Sequence, residues 1–461
     1  MYNPLLSLLP LLTLTTLTQA WLPTKDAGVI RGVNLGGLFI MEPWMQWSQW
    51  SSMGCGAYQS EFDCVMNMGQ AKANAAFQNH WATWISEPDF QEMVSYGINT
   101  VRIPVGYWML ESLVYADSEH FPQGGLPHLE NILKLAKKYN LYVILDLHGA
   151  PGAQIPKNAF TGQYAPAAGF YVDYQYNRAI QFLTFLAQQI YTNPTVYGAI
   201  GMIELLNEPL TYTPEVTATL ITQFYPQAWK AVRNYETALN IPKSKRLHIM
   251  FMDDLWGSGN PTANLPDTDM SAFDYHKYVK WDTSVTPTRD SYMEYSCNAD
   301  LGCKKPLVVG EWSLSVPDNL QESDMFRTDS ADAVKWFSGW FVAQQQMYER
   351  SGSGWVFWSW KSTLGDWRWS YRDAVVAGVI PKTLTASAKW NVCGAYKKAK
   401  REQVVGDVVE IPALALEKKE AVVDQAPAPS GKVEVNIRSH AARHAKWRRM
   451  HGHSLSHMHH S

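Results

Sequence analysis

From Ile30 onward, short β-rich runs alternate with longer amphipathic stretches, and no other feature of this chain limits its fold so tightly. Strand candidates fall at 30–35, 99–105, 142–148, 199–207, 247–252, 272–278, 307–311 and 355–360. Helical periodicity runs between them through 129–139, 174–190, 218–239 and 331–348. Parallel strands need long crossover connections, which helices supply, so this order reads as an α/β chain. About eight such units close a ring, and the expected fold is a (β/α)8 TIM barrel. A barrel with insertions takes up most of 461 residues, where length alone would suggest several domains.

The two ends differ from the middle. An apolar run from Leu5 to Leu17 is closed by Thr18-Gln19-Ala20, the small-residue pattern that a signal peptidase needs, so cleavage is expected before Trp21. After residue 400 come Lys418-Lys419-Glu420, Ala426-Pro427-Ala428-Pro429 and a basic, His-rich finish with no periodic apolar content. The expected organisation is a signal peptide at 1–20, a catalytic barrel at 21–400 and a disordered tail at 401–461. No other stretch approaches the length of a membrane span, so the mature protein is expected to be secreted, free of the membrane and monomeric.

A formal net charge of −3 gives no reason to expect a nucleic-acid partner. The 20 Trp and 23 Tyr point instead toward carbohydrate, because flat aromatic faces stack on the C–H faces of sugars, although the same rings also fill cores. Five cysteines in a secreted chain allow two disulfides and one leftover thiol. Cys55 and Cys64 are the easiest pair to close; Cys297 can pair with Cys393 or with Cys303, and both remain open. With no CxxC spacing and no HExxH cluster, neither a metal nor a cofactor is expected.

Polar residues gather at the C-terminal ends of the strand candidates, the face of an α/β barrel where catalytic groups from different strands converge. They are Arg102, His148, Asn207, Glu208, His276, Tyr278, Glu311 and Trp358. Cleaving a glycosidic bond with retention needs one protonated and one ionised carboxyl group, roughly 5 Å apart on opposite sides of the anomeric carbon. Glu208, in Ile203-Glu204-Leu205-Leu206-Asn207-Glu208-Pro209, and Glu311, in Leu307-Val308-Val309-Gly310-Glu311-Trp312, suit that need. Pro209 stops the strand ladder beside the first, and Gly310 permits a close backbone approach before the second. Either glutamate alone reads equally well as a structural ion pair; two on facing strands are harder to dismiss.

These motifs resemble glycoside hydrolase family 5 over nearly the whole mature domain. The resemblance runs from Arg31-Gly32-Val33-Asn34-Leu35-Gly36-Gly37 through Val101-Arg102-Ile103-Pro104, Asp146-Leu147-His148-Gly149, Asn207-Glu208-Pro209 and His276-Lys277-Tyr278 to Gly310-Glu311-Trp312 and Phe357-Trp358-Ser359-Trp360. It implies that Glu208 is the acid/base and Glu311 the nucleophile. Arg102 and Tyr278 would keep Glu311 ionised, and Asn207 would hold the sugar 2-hydroxyl. His276 and His148 would orient Glu208 and substrate hydroxyls, with Trp358 as the floor under the cleaved sugar. Glu204 and Asp146, deeper in their strands, read as structural partners inside the barrel. Glu42, Asp253 and Asp254 are placed to read hydroxyls, with Trp256 as a stacking face.

Catalytic motifs do not distinguish linkages, but loops do. Residues 60–64, 117–125, 157–164 and 255–259 resemble the branch of the family that cleaves β-1,6-glucan. Its exo-acting β-1,3 branch shares Gly36-Gly37 and His148-Gly149-Ala150-Pro151-Gly152, but not the loop continuing to Tyr164. The implied partners are β-glucan polysaccharide and its oligosaccharides. The alternatives are an exo-1,3-β-glucosidase on the same scaffold and an inactive glucan-binding protein. A β-1,6 bond adds a rotatable carbon between rings, so Trp44, Trp108, Trp256 and Trp358 are expected to supply separate faces for successive sugars.

Overall fold

Eight parallel strands close in chain order into a barrel: β1 (Ile30–Asn34), β2 (Thr100–Gly106), β3 (Tyr142–Gly149), β4 (Ile200–Glu204), β5 (His248–Met252), β6 (Ser271–His276), β7 (Leu307–Glu311) and β8 (Gly354–Phe357), with β1 pairing to both β2 and β8. This is a computed structural model, and it describes residues 29–397. The predicted signal peptide and the tail from 401 lie outside the described residues. Among the described residues, no helix is long and apolar enough to cross a membrane.

The strands are buried on both faces, and alternation sorts their residues into two cores. Outward positions such as Val101, Val143, Ile203, Ile249, Val309 and Phe357 pack against the helices, in the larger hydrophobic cluster. Inward positions begin at the bottom of the barrel with Ile30, Tyr142, Ile144, Met202, Met250, Ala272, Val308 and Val356, a separate apolar plug. Successive side chains alternate faces. Two residues beyond that plug, the inward positions therefore become Asp146, Glu204 and Asp274, all fully buried, and two further on β3 and β6 come His148 and His276. The barrel interior thus runs from apolar floor to charged middle to polar mouth.

Departures from the expected elements have local causes. Residues 205–207 continue the backbone bonding of β4, with Leu205 N donating to Met250 O and Asn207 N to Leu147 O, but regular strand ends at Glu204. The helix expected over 218–239 is broken at Leu220–Phe224 by a wide π turn, just ahead of Pro226. Proline has no N–H to donate and its ring crowds the carbonyl four residues back, which an ordinary α turn would need. Four helices between Trp47 and Ser95 fill the long β1–β2 crossover that the strand–helix count passed over. Two of them start on serine caps: Ser60 Oγ accepts from Asp63 N, and Ser86 forms a capping box with Asp89.

The disulfides are Cys55–Cys64 and Cys297–Cys393, which resolves the open choice, and Cys303 is the buried free thiol. The second bridge spans 96 residues and pins the end of the domain to the helix Arg289–Asn298.

Candidate active site

Arg102 organises the middle of the barrel. Its Nε donates to Glu204 Oε2 (2.9 Å), its Nη1 to Asn34 Oδ1 (3.1 Å) and Glu311 Oε1 (3.2 Å), and its Nη2 to Asn207 Oδ1 (2.8 Å). Nη2 also lies 3.0 Å from Asp146 Oδ2, and Nε 3.8 Å from Asp274 Oδ2. One fully buried guanidinium with five fixed donors thereby serves six residues from five strands or their ends. Burial alone would lower its pKa, but the surrounding carboxylates of Asp146, Glu204, Asp274 and Glu311 hold it well above the ordinary value. Burial acts the other way on Glu204, pushing its carboxyl well above the usual range against the attraction of Arg102.

Above this layer, Glu311 is held from two sides, by Arg102 on Oε1 and by the Tyr278 hydroxyl donating to Oε2 at 2.8 Å. Asn34 Nδ2 donates to Gly310 O and fixes the backbone beside it. Glu208 sits four residues past the end of β4 in the left-handed backbone region, at φ 36°. A non-glycine residue held there marks a backbone constrained by its surroundings. His276 Nδ1 lies 2.7 Å from Glu208 Oε1 and 3.6 Å from Glu311 Oε2. One oxygen of Glu208, one of Glu311 and a ring nitrogen of His276 all lie within 4.8 Å of one another. Burial would lower the His276 pKa, but the charges of Glu311 and Asp274 raise it well above the usual value.

The remaining predicted residues surround this group. His148 Nδ1 bonds Asp146 at 2.7 Å, and its ring stacks on Trp358 at 5.7 Å, so it backs the tryptophan. Asn207 gives its oxygen to Arg102, and its buried Nδ2 has no hydrogen-bond acceptor among the described residues. Trp256 is half-buried; its Nε1 donates to Pro209 O and its edge meets the His276 ring at 5.7 Å. Glu42 accepts from Trp44 Nε1 at 2.7 Å, and Trp44 meets Trp369 edge-on at 5.1 Å.

Two expectations fail. Trp108 is no sugar face: its ring is stacked on Phe121 at 4.2 Å, with Gly106, Gly149 and Gly162 against it. Asp253 does not read hydroxyls either. It is fully buried, with Oδ1 accepting from Leu255 N and Oδ2 from Lys304 N, which folds the turn that carries Trp256. The sequence reading also passed over Gln154, whose Nε2 donates to both His148 O and Asn207 O, and Asp274, two residues before His276 on the same face of β6. The strand period would have found Asp274; nothing in the loop around Gln154 announces its role.

Two triplets have atoms spaced as metal ligands are, Glu204–Asp274–His276 and Glu208–His276–Glu311. In both, Arg102 bonds a member, to Glu204 in the first and Glu311 in the second, so a guanidinium already supplies the positive charge a cation would bring.

Comparison with known proteins agrees with this architecture. The model of the family described as Cellulase (glycosyl hydrolase family 5) matches residues 65–363. A protein of Neosartorya fischeri named as a probable glucan endo-1,6-beta-glucosidase B is 50% identical over 83% of this chain and 98% of its own length. The glucan endo-1,6-beta-glucosidase B of Emericella nidulans is 50% identical over 82% of this chain and 90% of its own. An Aspergillus fumigatus protein named as a probable glucan 1,3-beta-glucosidase A is 30% identical over 79% and 90%. Among solved structures, a rutinosidase from Aspergillus niger superposes with a TM-score of 0.59 at 18% identity over 76% of this chain and 98% of its own, a likeness of fold. An eight-stranded barrel with two glutamates converging at its mouth is the architecture of a glycosidic-bond hydrolase. The chain belongs to glycoside hydrolase family 5.

Proposed function

We propose that this protein is a secreted, retaining hydrolase of β-1,6-glucosidic linkages in fungal cell-wall-type β-glucan, with residues 21–400 as the catalytic unit. The observation that carries the mechanism is the spacing of the two carboxylates, whose oxygens approach within 4.8 Å. Retaining enzymes need about 5–5.5 Å between the carboxyl groups, whereas inverting ones leave room for a water at 6.5–9.5 Å. Glu311, bonded by Arg102 and Tyr278, is the ionised partner and attacks the anomeric carbon. Glu208 donates its proton to the leaving oxygen, then takes a proton from the water that hydrolyses the glycosyl ester. Asn207 Nδ2 holds the 2-hydroxyl, Trp358 forms the floor of that sugar's site, and Trp256 and Glu42 serve neighbouring units.

The linkage rests on the relatives: those named for β-1,6 action share 50% of residues with this chain, against 30% for the one named for β-1,3 action. The two disulfides support secretion, since such bonds persist in oxidising compartments.

Trapping with azide tests the two roles. With an activated aryl glucoside, Glu208→Ala still forms the glycosyl-enzyme, and azide in place of the missing base gives a β-glycosyl azide. Glu311→Ala has no nucleophile, and direct attack by azide gives the α-glycosyl azide. The opposite anomers would exchange the two assignments.

A further inference from the structure

Asp274 takes no part in the mechanism above, yet it touches the supports of both glutamates. It is fully buried on β6, its Oδ1 accepting from Gly310 N at 2.7 Å and its Oδ2 lying 3.3 Å from His276 Nε2. Gly310 precedes the proposed nucleophile, and His276 holds the proposed acid/base through Nδ1 at 2.7 Å. The fit depends on glycine. A Cβ at residue 310 would come within 2.1 Å of Asp274 Oδ2, so only glycine lets this carboxylate lie against the strand. Alternation along β6 puts Asp274 and His276 on the same inward face.

We propose that Asp274 is a positioning residue for the acid/base: it accepts the Nε2 hydrogen of His276, so that Nδ1–H donates to Glu208 Oε1 and the acidic proton of Glu208 stays on Oε2, toward the leaving oxygen. The proposal rests on the assignment of Glu208 as acid/base. The charged and titratable groups that meet His276 are Glu208 beyond β4, Glu204 on β4, Asp274 on β6 and Glu311 on β7, with Arg102 from β2 among them. Asp274 is the one of these that bonds the ring on its far side from Glu208. With that acceptor lost, Nε2 no longer has a carboxylate bonded to it, the ring holds its proton less tightly, and the positive charge beside the Glu208 carboxylate is weakened. A carboxylate without its neighbouring cation takes up a proton more readily.

The test is Asp274→Asn, close in shape but without charge, compared with wild type on two substrates. On a β-1,6-linked gluco-oligosaccharide, whose leaving alcohol needs protonation, kcat/KM should fall about tenfold or more, within the range general-acid catalysis contributes. The basic limb of its pH profile should move up by about one unit. On 2,4-dinitrophenyl β-glucoside, whose leaving group needs no acid, kcat/KM should stay within about threefold of wild type. An equal fall on both substrates with an unmoved pH profile would overturn the proposal, since a structural loosening acts that way. A Glu208→Ala enzyme equally impaired on both substrates would instead overturn the acid/base assignment beneath it. Should the Asn variant fail to fold, nitrogen-15 NMR of the wild-type histidines decides: His276 should carry protons on both ring nitrogens from pH 5 to 7, and an unprotonated Nε2 in that range would contradict the role of Asp274.

Discussion

Arg102 Nη1 lies 3.2 Å from Glu311 Oε1, and neither side chain has any solvent exposure. Bulk solvent does not reach this pair, and the same guanidinium also meets Asp146, Glu204 and Asp274. Removing one partner of a buried pair leaves uncompensated charge and costs about 3–5 kcal/mol. Arg102→Ala is accordingly expected to destabilise the barrel by at least that much, read as a drop in ΔG of urea unfolding. A change below 1 kcal/mol (roughly the worth of a surface pair) would mean the carboxylates are not held by this residue.

Asn207 offers a sharper separation of roles. Its oxygen is committed to Arg102 while Nδ2 remains for a ligand, so Asn207→Ala should lower kcat/KM on an aryl β-glucoside by several kcal/mol of transition-state stabilisation, on the order of 100-fold or more. On the corresponding 2-deoxyglucoside the variant and wild type should differ by much less. Equal losses on both substrates would show that Asn207 acts through Arg102 and not through the 2-hydroxyl.

Much of this was legible beforehand, for reasons that differ by residue. Strand period and strand-end chemistry lead to β7 and Glu311 with matching boundaries, because Leu307-Val308-Val309-Gly310-Glu311 is apolar, short and ends in its only charge. Trp108 misled because a tryptophan just past a strand looks the same whether it faces a sugar or three glycines; Gly106 ends β2, Gly149 ends β3 and Gly162 lies in the loop after β3, and they meet only in the fold. Asp253 misled for a related reason, as the Lys304 N–H that donates to it lies 51 residues away. Long-range hydrogen bonds of this kind leave no local trace.

Glu61 supplies a pH dependence unconnected with catalysis. It is fully buried behind the loop that carries Glu42, one oxygen accepting from Met41 N, and burial pushes its pKa up to about 8. A carboxyl whose folded pKa is raised above its unfolded 4.5 contributes stability that is present at low pH and is lost as pH rises toward about 8. The loss is on the order of a few kcal/mol across that window. Glu61→Gln removes the titration, so its stability relative to wild type should improve steadily from pH 5 to pH 8 in denaturant melts. A constant difference over that range would contradict the buried neutral acid.

The two disulfides should differ in worth. Cys297–Cys393 closes a span of 96 residues and Cys55–Cys64 one of 9. Chain entropy then makes the first the more stabilising, by about 2 kcal/mol, in a range of about 2–5 kcal/mol for losing such a bond. Thermal unfolding of Cys393→Ser and Cys64→Ser should rank in that order. Buried Cys303 should react with a thiol reagent only on unfolding, and rapid labelling of the native protein would place it elsewhere.

The central claim is retaining cleavage of β-1,6 bonds by the Glu208–Glu311 pair, and time-resolved proton NMR of linear β-1,6-glucan digestion tests it most directly. The first anomeric resonances to grow should be those of β-configured β-1,6-oligosaccharides, with the α anomers appearing later at the slow rate of mutarotation. Linear β-1,3-glucan should be a poor substrate under the same conditions. Early growth of the α anomer would contradict the mechanism, and faster digestion of the β-1,3 polymer to glucose alone would contradict the linkage.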